Sequence, residues 1–287
     1  MALDIGAHVS TAGGIDKAIG RAVEIGAEAV QVFASSPRAW AFKPPTDQAV
    51  EAFKQGASKA KLGPTVFHAV YLVALGAPDE ALLLKSMESL INYMQTAERL
   101  GASGVIFHPA SHRGAGYEAV EAQMVGAVHQ VLKSAPGKVW LALENSAGMG
   151  DHIGSRFEEL GRLVKAINHP RIRVCLDTQH AWAANYDVAS PRGLDETLKQ
   201  FDKAIGLKLL AAVHANDSKT ERGSGVDRHE NIGEGTIGAD GFSTILAHPA
   251  LGKVPFYLEV PGFDNSGPDK KNIDILTRLR KEAGAAR

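Results

Sequence analysis

The stretch Arg173-Val174-Cys175-Leu176-Asp177-Thr178-Gln179-His180 runs from an apolar segment into a carboxylate and, three residues on, an imidazole. A short run of branched and apolar side chains reads as a buried strand, and its abrupt polar end reads as the start of a loop. The pattern recurs along the chain. Gly6-Ala7-His8, Val66-Phe67-His68, Ile106-Phe107-His108, Leu143-Glu144, Val213-His214 and Leu258-Glu259 each close an apolar run on a histidine or an acid. Around these ends, strand-like runs fall at 3–8, 30–33, 65–68, 104–107, 139–144, 173–177, 209–214 and 255–259.

Helix-like segments alternate with them at 15–25, 47–59, 81–100, 118–132, 157–167, 194–205 and 272–282. The clearest is 81–100, where Leu83, Met87, Leu90, Met94 and Ala97 recur at steps of three and four and mark one packing face before Gly101. Eight strands joined mainly by helices, on average about 36 residues apart, predict parallel strands with right-handed crossovers. Such a chain closes as a TIM (β/α)8 barrel, here a single domain over 1–287. A doubly wound open sheet is the competing α/β architecture. The barrel is favoured because it gathers every polar strand end at one mouth, at the carboxyl ends of the strands, where barrel active sites lie.

Composition narrows the function classes. Lys and Arg number 31 against 32 acids, so no global charge argues for nucleic acid, although a local basic rim is compatible with an acidic centre. Aromatics make up only 6 % of the chain, so the core must be built mainly of Ala, Val, Leu and Ile. The single cysteine, Cys175, excludes an intramolecular disulfide and a multi-cysteine zinc site, and its apolar neighbours read it as a buried structural thiol. No Gly-rich dinucleotide fingerprint follows a strand and no P-loop is present; Gly233-Glu234-Gly235-Thr236-Ile237-Gly238 reads as a tight loop. The N-terminus lacks a basic start followed by a long apolar stretch, and no segment is apolar enough to cross a bilayer. A cytoplasmic protein without membrane contact is expected.

Several carboxylates gathered at one mouth repel one another and lose hydration, and bound cations compensate both costs. Nitrogen and oxygen donors without thiolate suit Zn, Mn, Fe or Co, and the many histidines argue against a purely Mg or Ca site. Asp177 and His180 form one local pair, and Asp227-Arg228-His229 supplies a second, shortly after the polar stretch His214-Ala215-Asn216-Asp217-Ser218-Lys219.

Taken in order, Gly6-Ala7-His8-Val9-Ser10, the 68–71 segment, Phe107-His108-Pro109, Leu143-Glu144-Asn145, Leu176 through Ala181, His214 through Lys219, Asp227-Arg228-His229 with Gly233-Glu234-Gly235, and Leu258-Glu259 resemble the endonuclease IV family of apurinic/apyrimidinic endonucleases over essentially the whole chain. The resemblance implies three Zn2+ ions, with Mn2+ as a possible substitute. His68, His108 and Glu144 match the ligands of one; Glu144 bridges to a second, completed by Asp177, His214 and Glu259; His180, Asp227 and His229 match the third. It implies a DNA-repair phosphodiesterase, monomeric and active at the nucleoid of a bacterium or archaeon. Its partner is duplex DNA with abasic sites or blocked 3′ ends, cut 5′ to the lesion by metal-activated hydroxide to leave a 3′-hydroxyl and a 5′-deoxyribose phosphate. Arg38, Tyr71, Lys219 and Arg228 are the candidate DNA contacts.

Three departures stand out. Gln179 occupies a position that is commonly Cys, the 34–40 loop keeps Pro37, Arg38 and Trp40 but lacks the usual Lys-Asn start, and Val70 replaces a common Pro. A metal-dependent sugar isomerase or epimerase on the same barrel is the rival enzyme reading, and a DNA-binding barrel without activity is a third. The Asp-x-His pair, added to His180, favours the nuclease.

Overall fold

The eight expected strands close on themselves in the computed structural model, which describes residues 3–285. Met1 and Ala2, part of the N-terminal stretch read for a secretion signal, lie outside the described residues, as do the last two positions of the expected 1–287 domain. In chain order the strands are β1 Ile5–His8, β2 Ala29–Val32, β3 Thr65–His68, β4 Gly104–Phe107, β5 Trp140–Glu144, β6 Ile172–Asp177 and β7 Leu210–His214, then β8 Asp217–Ser218, β9 His229–Glu230 and β10 Phe256–Leu258. The barrel runs β1-β10-β7-β6-β5-β4-β3-β2, and each neighbouring pair is parallel. Strands β8 and β9 stand apart as a small antiparallel ribbon.

The helices are α1 Lys17–Ile25, α2 Asp47–Ala60, α3 Glu80–Leu100, α4 Tyr117–Ser134, α5 Phe157–Ile167, α6 Thr178–Ala183, α7 Pro191–Ala204, α8 Gly238–Ala247 and α9 Lys270–Ala285. Helix α3 shows why the periodic segments were legible. The Asp79 carboxylate accepts the Leu82 N–H at 2.7 Å and caps its start, Gly101 closes it in a left-handed turn, and Leu90, Met94 and Ala97 are buried as expected. Leu83 and Met87, from the same expected face, are only partly buried against the core.

Two helices were not expected. Six residues are too few for α6 to show a period, and Gly238 and Gly241 depress the helical signal of α8, which nonetheless buries Phe242, Ile245 and Leu246. The 233–238 loop is tight, as read. The fully buried Asp217 carboxylate accepts the N–H groups of Gly233, Gly235, Ile237 and Gly238 at 2.9–3.3 Å, so they are not left for a phosphate.

Strand alternation divides the interior into two cores. Outward-facing residues such as Val30, Phe67, Val105, Phe107, Leu141, Val174, Val213 and Phe256 join the helix faces in one large cluster. Inward-facing Ala29, Val66, Ile106, Ala142, Cys175, Ala212 and Tyr257 form a second, fully buried cluster that fills the lumen. Trp140 plugs it from the amino-terminal side, and Gly104 is where it must be: a Cβ there would lie 2.0 Å from the Trp140 ring. The lumen is therefore filled at this level, and the polar strand ends face the barrel axis above the plug.

Candidate metal centre

Two residues beyond the apolar plug the same inward face continues. Val66 leads to His68, Ile106 to His108, Ala142 to Glu144, Cys175 to Asp177, Ala212 to His214 and Tyr257 to Glu259. Because strand side chains repeat every second residue, each of these groups points up the axis. Asp177 and His214 are also register partners on adjacent strands.

Metal-capable atoms fall in three groups, each within 4.8 Å of one another: His68, His108 and Glu144; Glu144, Asp177, His214 and Glu259; and Asp177, His180 and His229. Glu144 belongs to two of them, with one oxygen for each. Its Oε2 lies 3.2 Å from His68 Nε2 and 3.7 Å from His108 Nε2, while Oε1 lies 2.9 Å from His214 Nδ1. His214 Nδ1 is also 3.3 Å from Glu259 Oε2. Asp227 faces the third group through Oδ2, 3.4 Å from His180 Nε2, and Oδ1, 3.5 Å from His229 Nε2. Asp177 joins the second and third groups, a link the sequence did not reveal.

The local fold explains how Asp177 and His180 come together. Asp177 ends β6 and caps α6, its Oδ1 accepting the His180 N–H at 2.8 Å, so the carboxylate orients the helix that carries the imidazole. His229 and Asp227 arrive from the β8–β9 ribbon and its 219–228 loop.

Backbone and amide acceptors fix the imidazole tautomers. His68 Nδ1 donates to Ala69 O at 2.7 Å, His180 Nδ1 to Asn145 O at 2.9 Å, and His229 Nδ1 to Glu259 O at 3.3 Å. A carbonyl only accepts, so these nitrogens carry the protons and each Nε2 lone pair faces the centre. His214 is reversed: Nε2 donates to Gln31 Oε1 at 2.8 Å, leaving Nδ1 inward. The Gln31 amide is oriented in turn by its Nε2, which donates to Glu259 Oε1 and to His8 Nδ1. His229 Nε2 is buried with no hydrogen-bond partner, an aimed lone pair that a cation would satisfy. The donor set therefore fits divalent metals.

Electrostatics agree. Burial pushes the Glu144 carboxyl up, but His214 and His108 more than reverse this and hold it well below the usual carboxylate range. Burial likewise opposes ionisation of Glu259 and Asp227, and His214 and His180 respectively dominate the outcome, leaving both carboxyls strongly depressed. Burial pulls the His180 and His214 imidazoles down, while Asp177 and Asp227 around the first, and Glu144 and Glu259 around the second, hold both well above their ordinary value. His108 is drawn down to about 4 by burial, against the pull of Glu144. Without a metal, shared protons neutralise the buried acids; divalent cations can take their place.

Four supporting residues were given no role by the sequence reading, although His8 was among the polar strand ends expected at the mouth. Gln31 and His8 are the inward residues that close β2 and β1, and His8 Nδ1 lies 3.2 Å from Glu259 Oε1. Asn216 donates to Asp177 Oδ2 at 2.7 Å and accepts the Glu259 N–H at 2.8 Å, while Asn145 accepts the Asp177 N–H at 2.7 Å. A polar residue inside an apolar run, such as Gln31 in Ala29-Val30-Gln31-Val32, was the available signal.

The four rim candidates are placed differently. Tyr71 stands at the mouth, 58 % exposed, with its ring 5.8 Å from that of His68 and edge-on to Phe33. Its N–H donates to Pro37 O at 3.2 Å, tying it to the loop that exposes Arg38. Lys219 and Arg228 are exposed on the ribbon, joined by a backbone hydrogen bond, and Lys219 Nζ is already 3.7 Å from Glu230 Oε2. Two hollows flank the centre: one of about 1010 Å³ touching His8, Ser10, Gly13, Ser35 and Lys43, and one of about 410 Å³ touching Tyr71, His108, Arg113, His152, His180 and Asp227. Among the described residues no helix is long and apolar enough to cross a membrane.

The family described as xylose isomerase-like TIM barrel matches residues 19–281. A probable endonuclease 4 of Halothermothrix orenii is 41 % identical over 97 % of this chain and 99 % of its own length. A probable endonuclease 4 of Methanoculleus marisnigri is 40 % identical over 98 % and 99 %. The crystal structure of endonuclease IV from Thermus thermophilus superposes with a TM-score of 0.86 at 36 % identity, covering 97 % of this chain and 99 % of that one. A barrel shared with sugar isomerases does not separate the two enzyme readings, but full-length relatives at this identity do, and the chain belongs to the endonuclease IV family.

Proposed function

We propose that this chain acts as a single-domain, monomeric enzyme in the cytoplasm and hydrolyses the phosphodiester 5′ to an abasic site in duplex DNA. The products are a 3′-hydroxyl and a 5′-deoxyribose phosphate, and blocked 3′ ends are a second substrate class. The observation that carries this reading is the third group: His180, His229 and Asp227 converge beside a centre that already has two groups joined by Glu144. Three zinc ions are assigned, the first to His68, His108 and Glu144, the second to Glu144, Asp177, His214 and Glu259, and the third to His180, Asp227 and His229, with Mn2+ able to substitute.

Bound divalent metals supply Lewis acidity for phosphate oxygens and a water acidic enough to attack at neutral pH. The chain supplies the rest. Four carboxylates against three divalent charges leave the centre net positive, matched to an anionic phosphodiester. Glu144 presents one oxygen to each side and so holds the first two groups in fixed relation. Ala69 O, Asn145 O, Glu259 O and Gln31 keep four imidazoles from rotating. Preorganised groups of this kind contribute because they do not reorganise during the reaction. Tyr71, beside His68 and exposed, is assigned to fill the space left in the duplex by the damaged nucleotide, and Arg38, Lys219 and Arg228 to contact phosphates.

The test pairs metal analysis with incubation on matched abasic and intact duplexes. Three tightly held metals and incision confined to the lesion strand are expected. Metal-replete protein that spares abasic DNA but interconverts a ketose and its epimer would overturn the assignment.

A further inference from the structure

Gln179 lies on α6 between two metal-facing residues, Asp177 and His180, yet its side chain turns toward the 219–228 loop. It is fully buried. Its Nε2 donates to Val226 O at 2.9 Å and to Ser218 Oγ at 3.3 Å. Its Oε1 is buried without a partner. The amide orientation follows from the contact: exchanging oxygen and nitrogen would set two carbonyl oxygens against each other.

Those two partners bracket the loop. Ser218 ends β8, and Val226 directly precedes Asp227. The loop between them is mostly exposed and has no apolar core of its own, so polar contacts hold it. Gly223 N–H donates to Trp182 O at 3.0 Å and Gly225 N–H to Ala183 O at 2.9 Å, again on α6. Gln179 supplies the α6 side-chain contact to the loop backbone just before Asp227; Thr220 Oγ1 reaches the same carbonyl at 3.4 Å, and Met149 Sδ accepts the Asp227 N–H at 3.4 Å. A cysteine in place of Gln179 would end at its γ atom, two bonds short of the amide nitrogen, and could not make the α6 contact.

We propose that Gln179 is a positioning residue for the third metal group, clamping Val226 to α6 and thereby setting Asp227 and His229 against His180. The inference rests on the three-metal reading above. It assigns to this residue the retention of one metal out of three, without contact between Gln179 and the metal.

The test uses zinc-loaded wild type, Gln179→Met and Gln179→Cys, with metal content followed during timed exposure to a chelator. Both variants should release one zinc about 10–100-fold faster than wild type, the usual effect of losing a group that orients a ligand, and release the other two at the wild-type rate. Amide hydrogen exchange of the metal-free proteins should rise in 219–228 and stay unchanged in the barrel strands. General destabilisation would instead move all three metals and the strands together, and that outcome overturns the proposal. So does wild-type release and exchange in either variant. A wild type that never holds three zincs refutes the three-metal reading; the clamp is then decided by exchange in 219–228 alone.

Discussion

The apolar plug and the metal centre occupy the same strands, one repeat apart. Ile106 and His108, Cys175 and Asp177, Tyr257 and Glu259 differ in position by two residues, about 7 Å of strand. Yet the first layer is fully buried and apolar save for the Tyr257 hydroxyl, which donates to Pro64 O, and the second carries nine candidate ligands drawn from strand ends, a helix and a ribbon. The plug excludes water from below, so the charges above it interact through a poorly screening medium, and it fixes the backbone from which the ligands project. Rigidity in one layer gives precision in the next.

The comparison breaks most severely at Glu144, the residue shared by two groups. Glu144→Gln should lower incision on the order of 10³-fold, given several kcal/mol of lost charge stabilisation at 1.4 kcal/mol per decade, and should lower bound metal. Steady-state incision and metal content check this; wild-type values for both would remove the bridging role.

The pH dependence tests whether protons and metals compete for the upper layer. His180 and His214 are raised in the metal-free fold, so the stability they add is present below the unfolded value of about 6.5 and fades as pH rises through the folded value. Glu144, Glu259 and Asp227 are depressed, so their contribution is present above about 4–4.5 and is lost as pH falls through their folded values. Metal must displace the imidazole protons, and the rise in melting temperature on zinc loading should therefore grow from pH 5 to pH 8. A rise independent of pH across that window would contradict this account of the site.

In the lower layer, Ile106→Val should cost about 0.5–1.5 kcal/mol of stability through lost packing and leave the metal content unchanged. Denaturant titration with metal analysis separates the two effects. The smallest effect is expected at the rim. Arg38→Ala should reduce the salt slope of binding to abasic duplex by about 0.9, one phosphate contact, whereas Lys219→Ala should change it less because Lys219 is paired with Glu230. Equal slopes for the two variants would remove that distinction.

The barrel was legible because its signals are local. Apolar runs of strand length, the three-to-four period of α3 and glycines such as Gly101 need no knowledge of distant residues. Helix α6 was not, since six residues cannot display a period; it shows itself only through the Asp177 cap and the contacts of the 219–228 loop. Gln31 is a polar residue in an apolar strand, and nothing in its neighbours reveals that it orients both His214 and Glu259.

The sequence by itself determined the eight barrel strands and which residue types stand at their ends, because strand alternation and apolar patterning are short-range; the β8–β9 ribbon that carries His229 was not among them. Only the tertiary structure decided that Asp177 serves two groups, that Asn145 and Asn216 steer their neighbours, and that Gln179 reaches across to Val226. Those relations depend on barrel closure and loop docking. The Asn145, Asn216 and Gln179 bonds join residues 32 to 47 apart in sequence, and no local pattern encodes which of them meet.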